Sequence, residues 1–189
     1  MKVLLIDNYD SFVYNLAQLI EESGLCDLKV LSYDEVDENA IKNFDKFIIS
    51  PGPGTPPDFP KLQKFVKQFY KSKDILGVCL GHEAIALAFG GEIHHTGNVF
   101  HGFAKKSTIT NEDDYIFINI PDGFEAGCYH SWALKEETFP KELKITAVAE
   151  DGIIMALQHK QYNVVGFQYH PESIMTKYGK QMVLNWLTG

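Results

Sequence analysis

The sequence predicts an α/β fold: a doubly wound, mostly parallel sheet with helices on both faces and an added antiparallel portion in the second half. Two observations support this prediction. In the first half, short apolar runs alternate with stretches of helical period, which is typical of parallel strands joined by helices. In the second half, strand-like runs follow one another with only turn residues between them, which indicates hairpins. No repeat or linker interrupts residues 1–189, so we expect one domain.

Four strand–helix pairs account for the first half. Each apolar run is short, and the stretch after it places apolar side chains on one helical face, as Phe12, Leu16 and Leu19 do. The predicted strands are 2–6, 28–33, 47–50 and 75–78. The predicted helices are 11–22, 36–43, 61–71 and 81–90.

The second half contains a series of strand-like runs and one helix. Turn residues separate the runs, so antiparallel neighbours are expected to extend the parallel core. The predicted strands are 92–110, 115–120, 124–130, 145–150, 153–158 and 164–169, and the closing helix is 178–187.

Composition and charge limit the kinds of partner. The formal net charge is −8, whereas nucleic acids and anionic membranes bind basic surfaces. The sequence shows no signal-peptide core and no run approaching the roughly 20 apolar residues of a membrane span. Cys26, Cys79 and Cys128 are odd in number and form no CxxC pair, which disfavours disulfides and zinc. We therefore expect a cytoplasmic protein with no nucleic acid or membrane partner.

The segment GVCLGH, residues 77–82, has the form of a nucleophile elbow. A predicted strand runs into Cys79 and a helix begins directly after it, with Gly77 and Gly81 leaving room for a sharp, strained turn. At a helix N-terminus, the dipole and unpaired N–H groups are expected to favour the thiolate. The N–H of Leu80 is placed to stabilise an oxyanion. A lone GxCxG is more often structural, so this interpretation depends on the other segments.

The segment QYHPE, residues 168–172, follows another predicted strand and combines a histidine with a carboxylate. His170 would take the thiol proton and later deliver it to the leaving group, while Glu172 would fix the tautomer and orientation of the imidazole. A His-x-Glu pair by itself is usually surface. It gains weight here because ligands of open α/β sheets gather beyond the carboxyl ends of the strands.

The segment PGPGTP, residues 51–56, follows the third predicted strand. Its prolines fix the backbone, and Gly52 and Gly54 permit dihedral angles that other residues avoid. The simplest interpretation is a rigid turn. The functional interpretation is a loop with exposed amides, in which the N–H of Gly54 is a second oxyanion donor.

Together these segments resemble the class I, or triad, glutamine amidotransferases, and most of all the subfamily that serves chorismate-using synthases. The resemblance covers nearly the whole chain. Its motifs appear in the family's order: DNYDSFVYNL at 7–16, SPGPGTP at 50–56, GVCLGH at 77–82, YHS at 129–131, HPES at 170–173 and GKQMVLNWL at 179–187.

The resemblance implies a flavodoxin-like sheet and a Cys79–His170–Glu172 triad that releases ammonia from L-glutamine. It implies no cofactor. Its partner would be a larger chorismate-binding synthase subunit, first of all that of anthranilate synthase; aminodeoxychorismate synthase, or service to both, is the alternative. The glutamine contacts that it implies are Gly52, Pro53, Gly54, Leu80, Glu83, Ser131 and Trp132, the last two through backbone amides.

Departures from the family pattern concern positions outside the triad. The family has glutamine where this chain has Glu83, and arginine is common where it has Gln158. We expect Glu83 to share a face with Cys79 and to accept a hydrogen bond from the α-ammonium of glutamine. The segment 101–107 also differs from the usual pattern. Four histidines lack metal-ligand spacing, so no metal site is predicted at His94, His95, His101 or His159.

Two other functions fit parts of the sequence. The same triad would also serve hydrolysis of a peptide or a γ-glutamyl conjugate, although the PGPG and YHS segments favour a small glutamine pocket. A non-catalytic, flavodoxin-like binding module would make the cysteine, histidine and glutamate a coincidence. Rates on free glutamine and on γ-glutamyl peptides discriminate the first, and labelling of Cys79 by a glutamine-like electrophile discriminates the second.

Overall fold

A computed structural model describes residues 1–97, 102–111 and 114–189. His101, predicted not to bind metal, lies outside these residues. The strands are β1 Lys2–Asp7, β2 Asp27–Ser32, β3 Lys46–Ile49, β4 Asp74–Val78, β5 Ile93–His95, β6 Phe103–Ile109, β7 Phe124–Cys128, β8 Trp132–Leu134, β9 Leu143–Ala149, β10 Ile154–His159 and β11 Val164–Phe167. The helices are α1 Val13–Glu21, α2 Glu38–Lys42, α3 Pro60–Phe69, α4 Leu80–Ala88 and α5 Gly179–Thr188.

The parallel part of the main sheet has the strand order β2-β1-β3-β4-β11, and each neighbouring pair is parallel. This is the flavodoxin-like order, so the predicted fold class is confirmed. The central strands β1, β3 and β4 are almost fully apolar because helices cover both of their faces.

Alternate residues of each central strand enter two separate cores. On one face, Val3 and Leu5 pack with α1 and α5, where Trp186 is the largest buried side chain. On the other face, Leu4 and Ile6 pack with α2, α3 and α4. The period of two along the strand and the apolar stripes of the helices therefore produce a doubly covered sheet.

The antiparallel part continues the same sheet as β11-β10-β9-β6-β7. The added antiparallel portion predicted for the second half is thus present. A separate pair, β5 and β8, is antiparallel and packs beside α4. Within the residues that the structure describes, no helix is long and apolar enough to cross a membrane.

Two predicted strands are wrong. The run 115–120 forms a short 3-10 turn at Tyr115–Phe117, because the Asp114 carboxylate accepts from the Ile116 N–H and starts a turn in place of a strand. The predicted strand 92–110 is two strands in different sheets, β5 and β6. A further strand, β8, went unpredicted because its three residues follow the YHS motif without any alternation.

Candidate active site

The elbow, residues 77–82, has the strained geometry predicted for it. Cys79 directly follows β4 and is the N-cap residue of α4, with a φ of 51°, a conformation that is costly for a residue with a side chain. A Cβ on Gly77 would lie 2.3 Å from the Gly81 carbonyl oxygen, and one on Gly81 would lie 2.4 Å from that of Ile49. The two glycines therefore allow α4 to start in direct contact with the strands.

The electrostatics of Cys79 differ from the prediction. Burial raises the pKa of the Cys79 thiol well above its ordinary value, and the nearby Glu83 and Asp10 carboxylates raise it further. The Leu80 N–H faces the sulfur and acts in the opposite direction, but it is the smallest of these influences. The helix N-terminus thus acts in the expected direction through the Leu80 N–H, but burial and the carboxylates outweigh it, so the net effect disfavours the thiolate.

His170 and Glu172 form a hydrogen-bonded pair. The distance from His170 Nδ1 to Glu172 Oε1 is 2.7 Å, and the two side chains are 2% and 0% exposed. Because a carboxylate can only accept, Nδ1 carries the proton and Nε2 holds the lone pair. This is the tautomer that a general base on Nε2 requires, with the carboxylate fixing the ring.

The histidine segment, residues 168–173, is attached to the antiparallel part of the sheet. The His170 N–H donates to the Gly127 carbonyl of β7 at 3.0 Å. The Thr176 hydroxyl donates to the His170 carbonyl at 2.6 Å and accepts from the Gly127 N–H at 2.9 Å. The rings of Phe12 and Tyr129 meet the imidazole edge-on, with centroids 5.7 and 4.9 Å away.

The proline–glycine loop, residues 51–56, is anchored below the site by Asn8. The buried Asn8 amide donates to the Ser50 carbonyl at 2.9 Å, and the Asn8 N–H donates to the Ser50 hydroxyl at 3.0 Å. A Cβ on Gly52 would lie 2.5 Å from a Leu80 methyl group and 3.0 Å from the Asn8 carbonyl oxygen, so glycine favours the close approach of the loop to the elbow. Gly54 has a φ of 73°, again a glycine conformation.

A cavity of about 300 Å³ lies at the carboxyl edge of the parallel strands, between the elbow, the proline–glycine loop and residues 129–132. Ser131 and Trp132 form its far wall, held by β8 and by two hydrogen bonds from Thr96 to the Ser131 carbonyl. His170 and Glu172 lie outside this lining. The lining contains Cys79 and all of the predicted glutamine contacts: Gly52, Pro53, Gly54, Leu80, Glu83, Ser131 and Trp132.

Glu83 shares the cavity with Cys79, as its helical position predicts. The side chain turns inward, since the residue is only 2% exposed, and its Oε1 accepts from the Gln168 amide at 3.2 Å. Burial raises the pKa of Glu83 to about 7, and the Gln168 hydrogen bond opposes that rise. A carboxylate at this position therefore titrates near neutrality.

Two buried histidines near the cavity are neutral. Burial lowers the pKa of His82 to about 3, and the side chain lies against Gly166. Burial also lowers the pKa of His130 to about 4, and its Nδ1 donates to the Trp132 carbonyl at 2.8 Å. The hydrogen bond from His130 to Trp132 orients this wall of the cavity.

Four residues at the site were not predicted. Asp10, Tyr129 and His130 line the cavity, and Gln168 lies between Cys79 and Glu83. Asp10, Tyr129 and His130 belong to motifs that carried the family resemblance, DNYDSF and YHS, so their motif positions were available signals. Gln168 was detectable only as a polar residue directly after a buried strand.

Comparison with known proteins agrees with this geometry. The sequence model of the class-I glutamine amidotransferases matches residues 4–188. The chain belongs to this family. As a class-I glutamine amidotransferase it is an enzyme, and the family resemblance found in its motifs is confirmed.

Similar amidotransferase chains carry related names. The chain is 45% identical to anthranilate synthase component 2 of Pyropia yezoensis, covering 98% of both chains. It is 38% identical to the protein of that name from Mycobacterium tuberculosis, covering 100% of this chain and 82% of the other. It is 42% identical to the bifunctional protein TrpGD of Thermotoga maritima, of which it covers only 32%. A solved glutamine amidotransferase from Thermotoga maritima shares the fold, with a TM-score of 0.77 at 16% identity, covering all of this chain and 81% of that one.

Proposed function

We propose that this amidotransferase is the glutaminase subunit of an anthranilate synthase. It hydrolyses L-glutamine to glutamate and ammonia at Cys79 and passes the ammonia to a chorismate-binding synthase subunit. The names of relatives that match nearly end to end support the pathway. The single observation that supports the chemistry most is a cysteine on a strained elbow at the same sheet edge as an oriented His170–Glu172 pair.

The reaction follows from which groups of the site donate and accept protons. Nε2 of His170 takes the Cys79 proton as the sulfur attacks the amide carbon of glutamine, giving a tetrahedral oxyanion. The backbone N–H groups of Leu80 and Gly54 stabilise that charge. The imidazolium then protonates the departing ammonia and leaves a glutamyl thioester. Water activated by His170 hydrolyses the thioester, which releases glutamate and restores the thiol.

The cavity suits the rest of the substrate. Its carboxylate side chains, Glu83 and Asp10, complement the α-ammonium of glutamine by charge. The α-carboxylate would lie against the backbone of Ser131 and Trp132. A cavity volume of about 300 Å³ also suits a single amino acid better than a peptide.

The free subunit should be a poor glutaminase. The raised pKa of the Cys79 thiol means that little thiolate exists at neutral pH in the unliganded chain. Docking of the synthase subunit need only shift the population of an aligned arrangement, and about 3 kcal/mol gives roughly a hundredfold change. Equal glutaminase rates with and without the synthase would contradict this proposal. We place the complex in the cytoplasm, where its free thiols stay reduced.

One experiment tests the proposed function. The chain is mixed with its synthase, and glutamate release and chorismate-derived product are followed with glutamine or with ammonium salt as nitrogen donor. We expect glutamate to appear in step with anthranilate. A complex that uses ammonium but releases no glutamate from glutamine would overturn the proposal. Aminobenzoate in place of anthranilate would assign the chain to aminodeoxychorismate synthesis, and faster hydrolysis of γ-glutamyl peptides would assign a different substrate.

A further inference from the structure

Gln168 occupies a position where a buried amide needs an explanation. It follows β11, and its backbone N–H donates to the Met155 carbonyl of β10 at 2.9 Å. Because side chains alternate along the strand, Phe167 and Tyr169 enter the apolar core on one face, while Gln168 points to the face that α4 covers. The residue is 0% exposed.

The amide nitrogen of Gln168 faces two groups of the site at once. Nε2 lies 3.2 Å from Glu83 Oε1 and 3.9 Å from Cys79 Sγ. An amide nitrogen carries two hydrogens, so both acceptors can be served together. The distance to sulfur is long for a neutral thiol, which is a weak acceptor, and hydrogen bonds in unliganded active sites shorten when charge develops.

The amide oxygen of Gln168 shows that this arrangement has a cost. Gln168 Oε1 is buried and has no hydrogen-bond partner within the part of the chain that the structure describes. Leaving a buried acceptor unpaired is unfavourable, and an apolar side chain of the same shape would avoid that penalty. A residue selected for packing alone would therefore be leucine or methionine.

We infer that Gln168 donates a hydrogen bond to the Cys79 thiolate and links it to Glu83, so that the amide partly offsets the repulsion between sulfur and carboxylate. The inference rests on the proposed role of Cys79 as nucleophile. The contact with the sulfur is direct. The hydrogen bond to Glu83 acts on the sulfur only indirectly, by positioning the Glu83 carboxylate. The family resemblance assigned no role to this position.

Several charged groups surround the sulfur and act on its titration. Glu83 of α4, Asp10 after β1 and Glu172 after β11 all raise the pKa of the Cys79 thiol. The His130 imidazole lines the same cavity, and the His170 imidazole packs edge-on against the Tyr129 ring of that lining. The Leu80 N–H lowers the pKa of the thiol, and Gln168 is positioned to do the same.

Loss of the Gln168 amide has two opposing effects on the pKa of the Cys79 thiol. It removes a donor from the sulfur, which makes Cys79 harder to ionise. It also removes the bond that keeps Glu83 ionised, so more Glu83 is neutral and repels the thiolate less. Replacing Glu83 by glutamine eliminates the second effect, so the direct effect of Gln168 is measured most cleanly in Glu83→Gln protein.

The experiment is the pH dependence of Cys79 alkylation by iodoacetamide in the full chain, followed by peptide mass spectrometry. Gln168→Leu in the Glu83→Gln background should move the alkylation midpoint up by about one pH unit, the size expected for loss of a hydrogen bond to a charged group. Gln168→Met, which also lacks the donor, should do the same if the leucine variant does not fold. In unaltered Glu83 protein the shift should be smaller.

A matched control lies on the next strand. Gln158 of β10 is also a buried glutamine whose Oε1 has no partner among the described residues, but it faces a different cavity. Gln158→Leu should leave the Cys79 midpoint unchanged, and the half-buried Cys26 provides an internal reference in every sample. A midpoint that stays in place in both Gln168 variants would overturn the inference.

Failure of this inference can be distinguished from failure of the proposed function. A shifted midpoint in a chain that releases no glutamate with its synthase would retain the hydrogen bond and reject the glutaminase. An unshifted midpoint in a chain that releases glutamate normally would reject the hydrogen bond and retain the glutaminase. In an active complex, Gln168→Leu should lower kcat more than it raises KM, because the thiolate forms during reaction.

Discussion

The elbow and the histidine segment contribute to the same site, but they are built differently. The elbow is held by its own sequence: Gly77 and Gly81 remove the side chains that would prevent Cys79 from adopting a φ of 51°. The histidine segment contains no backbone strain of that kind. It is held from outside, by Thr176 and by the β7 strand, which is more than 40 residues earlier in the chain.

This difference separates two ways of positioning a reactive group. A strained local turn fixes one atom firmly and tolerates almost no change in its glycines. A segment held by long-range hydrogen bonds depends on the integrity of a distant strand, and it can respond when that strand or a docked subunit moves. We expect substitutions in the two regions to fail in different ways.

The largest effect should come from the reacting groups. Cys79→Ala should lower glutamine-dependent product formation by at least about four orders of magnitude, because no nucleophile remains. His170→Ala should be nearly as severe, since residues that act as a unit do not contribute additively. Glu172→Ala should be milder by about two orders of magnitude, because it orients rather than reacts. Steady-state rates of the complex with glutamine measure all three.

The control is the ammonium-dependent reaction of the same complexes. It should stay unchanged in each variant, since the synthase carries that chemistry on another chain. Substantial glutamine-dependent product from Cys79→Ala would remove the elbow from the mechanism and leave only its structural role.

The next effect tests the local construction of the elbow. In Gly81→Ala, the new Cβ would lie 2.4 Å from the Ile49 carbonyl oxygen, a contact that backbone atoms cannot relieve easily. We expect a loss of about 3 kcal/mol in the free energy of unfolding, in spite of the better helix propensity of alanine. Urea unfolding measures it. Gly24→Ala is the matched control: its φ is 65° but nothing lies within 4 Å, so about 1 kcal/mol is expected. Equal losses would mean that close packing is not what the elbow requires.

The sequence was sufficient for the elbow because the determinants are adjacent. An apolar run, two glycines and a helix start within six residues specify the turn at Cys79. The alternation of apolar runs and helices likewise predicted the parallel sheet, since each element has its own period. The parallel pairing of β11 with β4 did not follow from that alternation, because the run 164–169 was predicted among the hairpin-like strands of the second half.

The features that the sequence did not predict depend on contacts that form only in the folded chain. The net shift of the Cys79 pKa was not predicted, because the helix start and the neighbouring Glu83 are visible in the sequence, whereas the burial of the sulfur is not. The run 115–120 was predicted as a strand because apolar content alone does not reveal the Asp114 cap. The contact between Gln168 and Glu83 joins residues 85 positions apart, and no local pattern indicates it.

An effect of similar size, about 3 kcal/mol over the whole pH range, concerns Glu83. The folded chain holds the Glu83 proton up to about pH 7, whereas the unfolded chain releases it near the ordinary value of 4.5. Because the folded state binds more protons in between, the free energy of unfolding should fall as the pH rises from about 4.5 to about 7 and then level. Glu83→Gln should flatten this dependence in urea titrations. Glu125→Gln, at an exposed position on β7, should leave it intact; equal curves for the two variants would contradict the burial of a titrating Glu83.

The smallest effect tests the long-range construction of the histidine segment. Thr176→Val keeps the shape of the side chain but removes the hydroxyl that joins the His170 carbonyl to the Gly127 N–H. With one buried donor left unpaired, we expect a loss of about 2 kcal/mol in unfolding free energy. His170 also loses an anchor, so glutamine-dependent kcat should fall about tenfold while ammonium-dependent synthesis stays constant. The matched control is Thr110→Val, which removes an exposed hydroxyl bond to the Ile145 carbonyl and should cost less than about 0.5 kcal/mol. If Thr176→Val destabilises the chain without lowering kcat, β7 stabilises the fold but does not position His170, and the contrast between the two regions is lost.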